Sequence, residues 1–224
     1  MATKPTPPPL QLRPELWLDA RRALWLPSLR LLVVADLHWG YAETHRRRGN
    51  LLPLWGDDEI AARLRGLIDA YRPEEMLWLG DSLHAVAGRT SAERFLAAPG
   101  TPRVTIIAGN HDGRWERATV REATRAGCYF HHGDGAPSVP DGHLEIVGHH
   151  HPAVTWNDGA GTRVKLPALV ESPRRLILPA FSPWAAGTPW NERVQPDETL
   201  WAVAPHRIFR WRATERPPAP PVAS

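Results

Sequence analysis

Apolar residues in this 224-residue chain gather into short runs that break off at glycine, Asp, Asn or His. Leu29–Ala35, Glu75–Leu79 and Arg103–Ala108 are nearly continuous runs, the pattern of strands covered on both faces. Glu15–Asp19 and Ala23–Leu26 flank a charged Asp-Ala-Arg-Arg turn and read as a hairpin. From Asp57 to Tyr71 the apolar positions are 60, 61, 64, 67, 68 and 71. That spacing predicts a helix, with Asp57 as its N-cap and Pro73 beyond its end. Ser91–Ala98 reads as a second helix, stopped by Pro99-Gly100, and Trp115–Ala126 as a third, ending at Gly127. Seven further strands are expected near Cys128–His131, Leu144–Val147, Ala153–Trp156, Thr162–Leu166, Arg175–Leu178, Thr199–Ala204 and Arg207–Trp211. Strand and helix alternate in the front half, and strands dominate the back half. The expected architecture is mixed α/β, two packed sheets with helices outside them.

Composition narrows this reading. An apolar fraction of 42% and a charged fraction of 23% exclude disorder as the main state. The length suits one domain, expected over 10–216, between proline-rich tails at 1–9 and 217–224 that are expected to be disordered. The single cysteine, Cys128, excludes an internal disulfide framework and argues against a thiolate metal site. The N-terminal stretch lacks the apolar core of a secretory signal, and Leu29–Ala35 is too short to span a bilayer and contains Arg30. A cytoplasmic protein with no membrane partner is expected. The formal charge of +3 favours anionic partners weakly. Of 27 cationic side chains only Lys4 and Lys165 are lysines, so one arginine alone says little about phosphate binding.

The chemistry lies where the apolar runs end. Leu31–Ala35 leads into Asp36-Leu37-His38, Met76–Leu79 into Gly80-Asp81, and Val104–Ala108 into Gly109-Asn110-His111-Asp112. Leu144–Val147 leads into Gly148-His149-His150-His151, and Cys128–Phe130 into His131-His132-Gly133-Asp134. Ligands in α/β sheets bind beyond the carboxyl ends of the strands, and glycine there lets the backbone turn and come close. In an extended segment residues i and i+2 share a side, so Asp36 and His38 can grip one ion, and His149 and His151 can likewise reach one site. Two Asp, one Asn and four His are too many donors for one tetrahedral ion. They suit two ions of mixed oxygen and nitrogen coordination, such as Mn²⁺, Fe or Zn²⁺, rather than Mg²⁺ or Ca²⁺. Two such ions ~3.5–4 Å apart can clamp a phosphoryl group and generate hydroxide at neutral pH.

Asp-x-His, Gly-Asp, Gly-Asn-His-Asp and Gly-His-x-His, in that order, resemble the calcineurin-like metallophosphoesterases. The resemblance implies a four-layer αββα sandwich and a dinuclear centre, with Mn²⁺ as its expected metal. Asp36, His38 and His151 would hold the first ion and Asp81 would bridge. Asn110, His149 and one of His131 or His132 would hold the second, with His132 preferred because His-Gly-Asp matches a form of that motif. His111 would serve as general acid to the leaving oxygen after attack by a metal-bridging hydroxide. The stretch His45-Arg46-Arg47-Arg48-Gly49 with Pro53, together with Leu178-Pro179-Ala180-Phe181, is similar to one subgroup, the bacterial DNA ligase-associated phosphoesterases (PdeM). That implies a phosphodiester substrate, possible action on DNA, and association with a DNA ligase and a helicase in repair. Trp39, Asn50, Ser82 and His150 depart from the subgroup pattern, and none is an expected ligand.

Other residues carry weaker expectations. Arg46–Arg48, Arg46 and Arg47 foremost, are candidates for substrate phosphate, beside the plainer reading of the stretch as a solvated basic loop. His84 can line the pocket or serve only a turn. Asp112 can orient His111 or cap the helix expected after it. Two other functions stand beside phosphodiester hydrolysis: a pyrophosphatase or phosphatase acting on a nucleotide-linked lipid or a nucleotide, and a non-catalytic scaffold of the same fold.

Overall fold

The structure, a computed structural model, describes residues 7–157, 163–185 and 187–212. In chain order the elements are β1 (Leu10–Arg13), β2 (Leu16–Asp19), β3 (Ala23–Leu26), β4 (Leu31–Val34), α1 (Tyr41–Arg47), α2 (Gly56–Tyr71), β5 (Glu75–Leu79), α3 (Arg89–Ala97) and β6 (Arg103–Ile107). Then follow β7 (Glu122–Arg125), β8 (Cys128–His131), β9 (Leu144–Val147), β10 (Pro152–Asn157), β11 (Arg163–Glu171), β12 (Arg175–Ile177), β13 (Thr188–Pro189), β14 (Thr199–Ala204) and β15 (Arg207–Arg210). Residues 1–6 of the first expected tail, all of the second (217–224), residues 213–216 and Thr162 lie outside the described residues.

The first sheet runs β1-β2-β3-β4-β5-β6. Its first four strands pair antiparallel, and β4, β5 and β6 are parallel. The second sheet runs β13-β10-β11-β12-β9-β8-β7, with β14 pairing β11 and carrying β15. Its β8, β9 and β12 are parallel to one another.

The continuous apolar runs are buried on both faces, and successive residues alternate between two cores. Leu31, Val33, Leu77 and Leu79 face the second sheet, where they meet Phe130, Ile146, Leu169 and Leu176. Leu32, Val34, Met76 and Trp78 face outward onto Ile60, Leu64 and Leu67 of α2 and Phe95 of α3. The three acids in the first turn of α2 suit the positive end of its dipole. The second sheet's outer face carries a third cluster around Val154, Val170 and Leu200, bordered by Trp190, Phe209 and Trp211. The two mixed sheets with helices outside are as expected. Among the described residues, however, no helix covers the second sheet; side chains from β14, β15 and the segment after β13 border its outer core instead.

Three local expectations change. Trp115–Ala126 forms no helix. Only Trp115 is buried there, so no apolar stripe repays helix formation. Val120 instead bonds to the backbones of Ile106 and Ala108 beside β6, and Glu122–Arg125 becomes β7, pairing β8. Asp57 does not cap α2; the N-cap is Trp55, and the Asp57 carboxylate accepts the Gly40 N–H at 2.9 Å. Arg46 and Arg47, read as part of a solvated basic loop, instead end helix α1 (Tyr41–Arg47).

Candidate metal centre

The parallel strands β4, β5 and β6 end on one edge, as do β8 and β9, and the segments that follow are tied to each other. The His38 N–H bonds the Asp81 carbonyl at 2.9 Å, Gly148 bonds His132 at 3.0 Å, and Ser182 bonds Asp36 at 3.1 Å. Glycine is required where these segments touch. A Cβ on Gly80, whose φ is +72°, would lie 2.2 Å from the His132 ring, and one on Gly109 would lie 2.4 Å from Asp81 Oδ1.

Five of the seven expected ligands have left-handed backbones: Asp36 (φ 55°), His38 (51°), Asp81 (46°), His149 (62°) and His151 (45°). Each costs about 1–2 kcal/mol in a residue with a Cβ, and such strain concentrates at functional sites. It also removes the alternation expected of extended chain. His149 and His151 do not share a site. His151 joins Asp36 and His38, and His149 joins Asp81 and His132.

Within the first group, His151 Nε2 lies 3.3 Å from Asp36 Oδ1 and 3.3 Å from His38 Nε2. In the second, His132 Nε2 lies 3.1 Å from His149 Nδ1, 3.2 Å from Asn110 Oδ1 and 3.5 Å from Asp81 Oδ1. Asp81 connects the groups, since its Oδ2 is 4.0 Å from His38 Nε2. The Leu79 carbonyl accepts from His132 Nδ1 at 2.9 Å, which leaves Nε2 unprotonated in the neutral ring and turned into the group. His131 points elsewhere, to Glu145 at 2.7 Å.

The electrostatics ask for positive charge at this place. Burial opposes a charge on His132, but the hydrogen bond to Asp81 and the charges of Asp36 and Asp81 outweigh it and raise the ring to about 9. Burial would raise Asp81, yet the hydrogen bond and charge of His132 with the His111 N–H bring it down to about 2. Burial carries His38 down to about 3. Imidazole lone pairs facing each other at 3.3 Å repel unless a proton or a cation lies between them. His38 Nδ1 is also buried without a hydrogen-bond partner among the described residues. The oxygen and nitrogen donors, of which Asp36, His38, Asp81 and His132 are buried, the facing rings and the cradle at Gly80 and Gly109 fit two divalent cations of borderline character.

His111 and His84 stand at the rim, and with His38 they form a third cluster. The His84 carbonyl accepts from His111 Nδ1 at 3.1 Å, and His111 Nε2 faces Asp81 Oδ2 at 3.9 Å. Burial, with the nearby charges of His111, His45 and Arg48, lowers His84 to about 4. Tyr41 of α1 packs against both His84 and His45, with ring centroids at 4.5 and 4.3 Å, and the two imidazoles stack on each other at 5.5 Å. Arg46 turns to the Leu52 carbonyl, while Arg47 pairs with Glu43 and lines the cavity beside His111. Arg48, the last of the Arg46–Arg48 stretch expected either at substrate phosphate or in a solvated loop, also lines that cavity. Asp112, expected at His111 or at a helix start, does neither: it takes the backbone N–H groups of Ser82, Leu83 and Gly109.

Comparison with curated proteins gives no match. Among solved structures, the nuclease MPE of Pseudomonas putida shares 24% identity and a TM-score of 0.71, over 91% of this chain and 99% of its own. That likeness is one of fold. Yfce, a phosphoesterase from E. coli, shares 14% identity with a TM-score of 0.44, over 80% of this chain and 96% of its own. The model of one family, described as calcineurin-like phosphoesterase, matches residues 29–168. That stretch is more than half of the chain and contains every residue of the two converging groups, so the chain belongs to the calcineurin-like phosphoesterase family and is a hydrolase acting on ester bonds.

Proposed function

We propose that this phosphoesterase hydrolyses a phosphodiester at a dinuclear centre. Asp36, His38 and His151 would hold one divalent cation, Asn110, His132 and His149 the other, and Asp81 would bridge them. The observation that carries this reading is the position of Asp81, with Oδ1 3.5 Å from His132 and Oδ2 4.0 Å from His38. Mn²⁺ is the metal proposed, with Fe or Zn²⁺ as alternatives suited to the same donors.

When bound, the cation pair supplies charge to the phosphoryl oxygens and a water of lowered pKa. The chain's own residues supply the rest. The Leu79 carbonyl fixes the tautomer of His132, and the N–H groups of His149 and His111 hold the Asp36 and Asp81 carboxylates in place at 2.9 Å. Because Nδ1 of His111 is spent on the His84 carbonyl, its Nε2 is the atom that faces the reacting phosphate. In the protonated ring, Nε2 gives its proton to the departing ester oxygen as the P–O bond breaks, a contribution of about 10²–10⁴ in rate.

Within this reading the substrate is nucleic acid. The ligase-associated subgroup resemblance implies it, and it accords with the nuclease among the proteins of similar fold. A cytoplasmic repair role beside a ligase and a helicase is the corresponding biological setting. The test is hydrolysis of bis-p-nitrophenyl phosphate and p-nitrophenyl phosphate by metal-stripped protein with Mn²⁺ restored. Mn²⁺-dependent turnover favouring the diester supports the proposal. Preference for the monoester overturns the diesterase part of it. Inactivity with Mn²⁺, Fe²⁺ and Zn²⁺ alike, in protein that binds two ions, favours a scaffold.

A further inference from the structure

Beyond His111 the centre opens into a cavity of about 730 Å³, much larger than one phosphate needs. Asn110 and His111 are among its lining residues, which joins it to the centre. Four arginines line it from three parts of the chain: Arg47 and Arg48 from α1 and its C-terminal cap, Arg89 from the start of α3, and Arg114 from the turn after β6. No Asp or Glu is among its lining residues, although the chain carries 24 acids against 27 basic residues. An arginine-rich composition alone would bring carboxylates along in similar number. The four guanidiniums are also available. Arg47 and Arg89 have only exposed partners, Glu43 and the distant Glu116 at 3.9 Å, and such pairs are worth little. Among the described residues, Arg48 and Arg114 have no salt bridge.

The position of His111 gives the cavity a direction. If Nε2 protonates the departing oxygen, the space beyond it receives whatever is attached to that oxygen. We infer that this cavity binds the leaving-group side of a nucleic-acid strand, with Arg48 and Arg114, assisted by Arg47 and Arg89, gripping the phosphates next to the scissile one. The inference rests on the phosphodiesterase reading above and deepens it: the preferred substrate is a strand with several phosphates, not an isolated diester. Guanidinium forks suit this task because each can meet a phosphate through two hydrogen bonds. Removing positive charge from such a groove also flattens the salt dependence of binding.

The experiment compares an oligothymidylate, the dinucleotide thymidylyl-thymidine and bis-p-nitrophenyl phosphate, using Mn²⁺-loaded wild-type protein and the Arg48→Ala/Arg114→Ala double variant. The dinucleotide has a scissile phosphate and no neighbour. Wild-type kcat/KM per bond is expected to favour the oligonucleotide by about tenfold or more. The double variant is expected to lose that preference mainly through KM, and its log KM against log salt slope to shrink by about 1.4. Its loss on bis-p-nitrophenyl phosphate is expected to be much smaller. The Arg48→Lys/Arg114→Lys variant keeps the charge without the fork and is expected to recover the salt slope with part of the preference. Equal losses on all substrates, or a preference that survives in the alanine double variant, overturn the inference. So does a larger loss on a nucleoside diphosphate ester than on the oligonucleotide, because the cavity would then hold a diphosphate. Wild-type activity on both simple diesters without preference for the strand defeats this inference alone. Inactivity on every substrate defeats the phosphodiesterase reading as well.

Discussion

Asp112 turns its carboxylate away from its neighbour His111 and receives the N–H of Leu83 on Oδ1 at 2.9 Å. Oδ2 receives the N–H groups of Gly109 and Ser82 at 3.0 and 3.2 Å. The segment that carries Asp81 is thereby fastened to the segment that carries Asn110 and His111. Burial raises the pKa of Asp112, and the three N–H groups oppose that rise. Replacing Asp112 with Ala leaves three backbone donors unmatched and is expected to cost about 3 kcal/mol. Asp112→Asn presents a donor where only acceptors fit, and is expected to weaken metal affinity by about 10–100-fold while the protein stays folded. Thermal melting and metal titration of the two variants check this. Unchanged affinity in Asp112→Asn would show that the fastening does not matter to the centre.

His111→Asn is expected to keep the metal content of the wild type. Its turnover should fall by about 10²–10⁴ on an alkyl ester and far less on a nitrophenyl ester, whose leaving oxygen needs no proton. Steady-state rates on a leaving-group series give the answer. Equal slowing across the series assigns His111 to phosphate binding instead of proton transfer.

Stripping the metal should soften this part of the molecule more than its far end. Asp36, Asp81 and the facing rings of His38 and His151 lose the charge that balances them. Mn²⁺ at about 100 times its dissociation constant is expected to add about 2.7 kcal/mol to the stability of the stripped protein. Asp81→Asn should show much less of this gain. A melting temperature indifferent to Mn²⁺ in the wild type contradicts the assignment of these residues.

Asp19 offers a test of stability away from the centre. Its carboxylate takes the Arg21 guanidinium at 2.7 and 2.8 Å and the Tyr71 hydroxyl at 2.6 Å, joining the β2–β3 hairpin to α2. Burial would raise its pKa, but the bonds from Arg21 and Tyr71 prevail and hold it below the ordinary value of 3.8. A carboxylate lowered in the folded state stabilises above its unfolded pKa, and that contribution fades as pH drops toward the folded value. Asp19→Asn is therefore expected to cost about 2 kcal/mol at neutral pH. The gap to wild type should close only below about pH 3.8. Urea melts of both proteins across acid pH measure it, and a gap independent of pH argues against the ionic part of this contact.

The strand ends were legible because each buried run stops abruptly at a polar, glycine-flanked cluster, and a strand covered on both faces has little freedom over where its carboxyl end lies. That logic located Asp36, Asp81, Asn110, His132 and His149 beside one another. The local geometry was less legible. A period of two holds only in extended chain, and the positive φ values at His149 and His151 send their rings to different groups. The segment after Trp115 shows the limit of a helical reading built on few apolar residues: with no apolar stripe to bury, Val120 and Glu122–Arg125 pair with the edges at β6 and β8 instead. The short α1 was hidden for a related reason, since Ala42 is its only buried residue.

Electron paramagnetic resonance of the Mn²⁺-loaded protein, with the metal counted per chain by elemental analysis, is the most direct measurement of the proposed centre. The geometry around Asp81 predicts two ions per chain with the spectrum of an exchange-coupled pair, and in Asp81→Asn the loss of that coupling together with diester hydrolysis. A single uncoupled ion in fully active wild-type protein would contradict it.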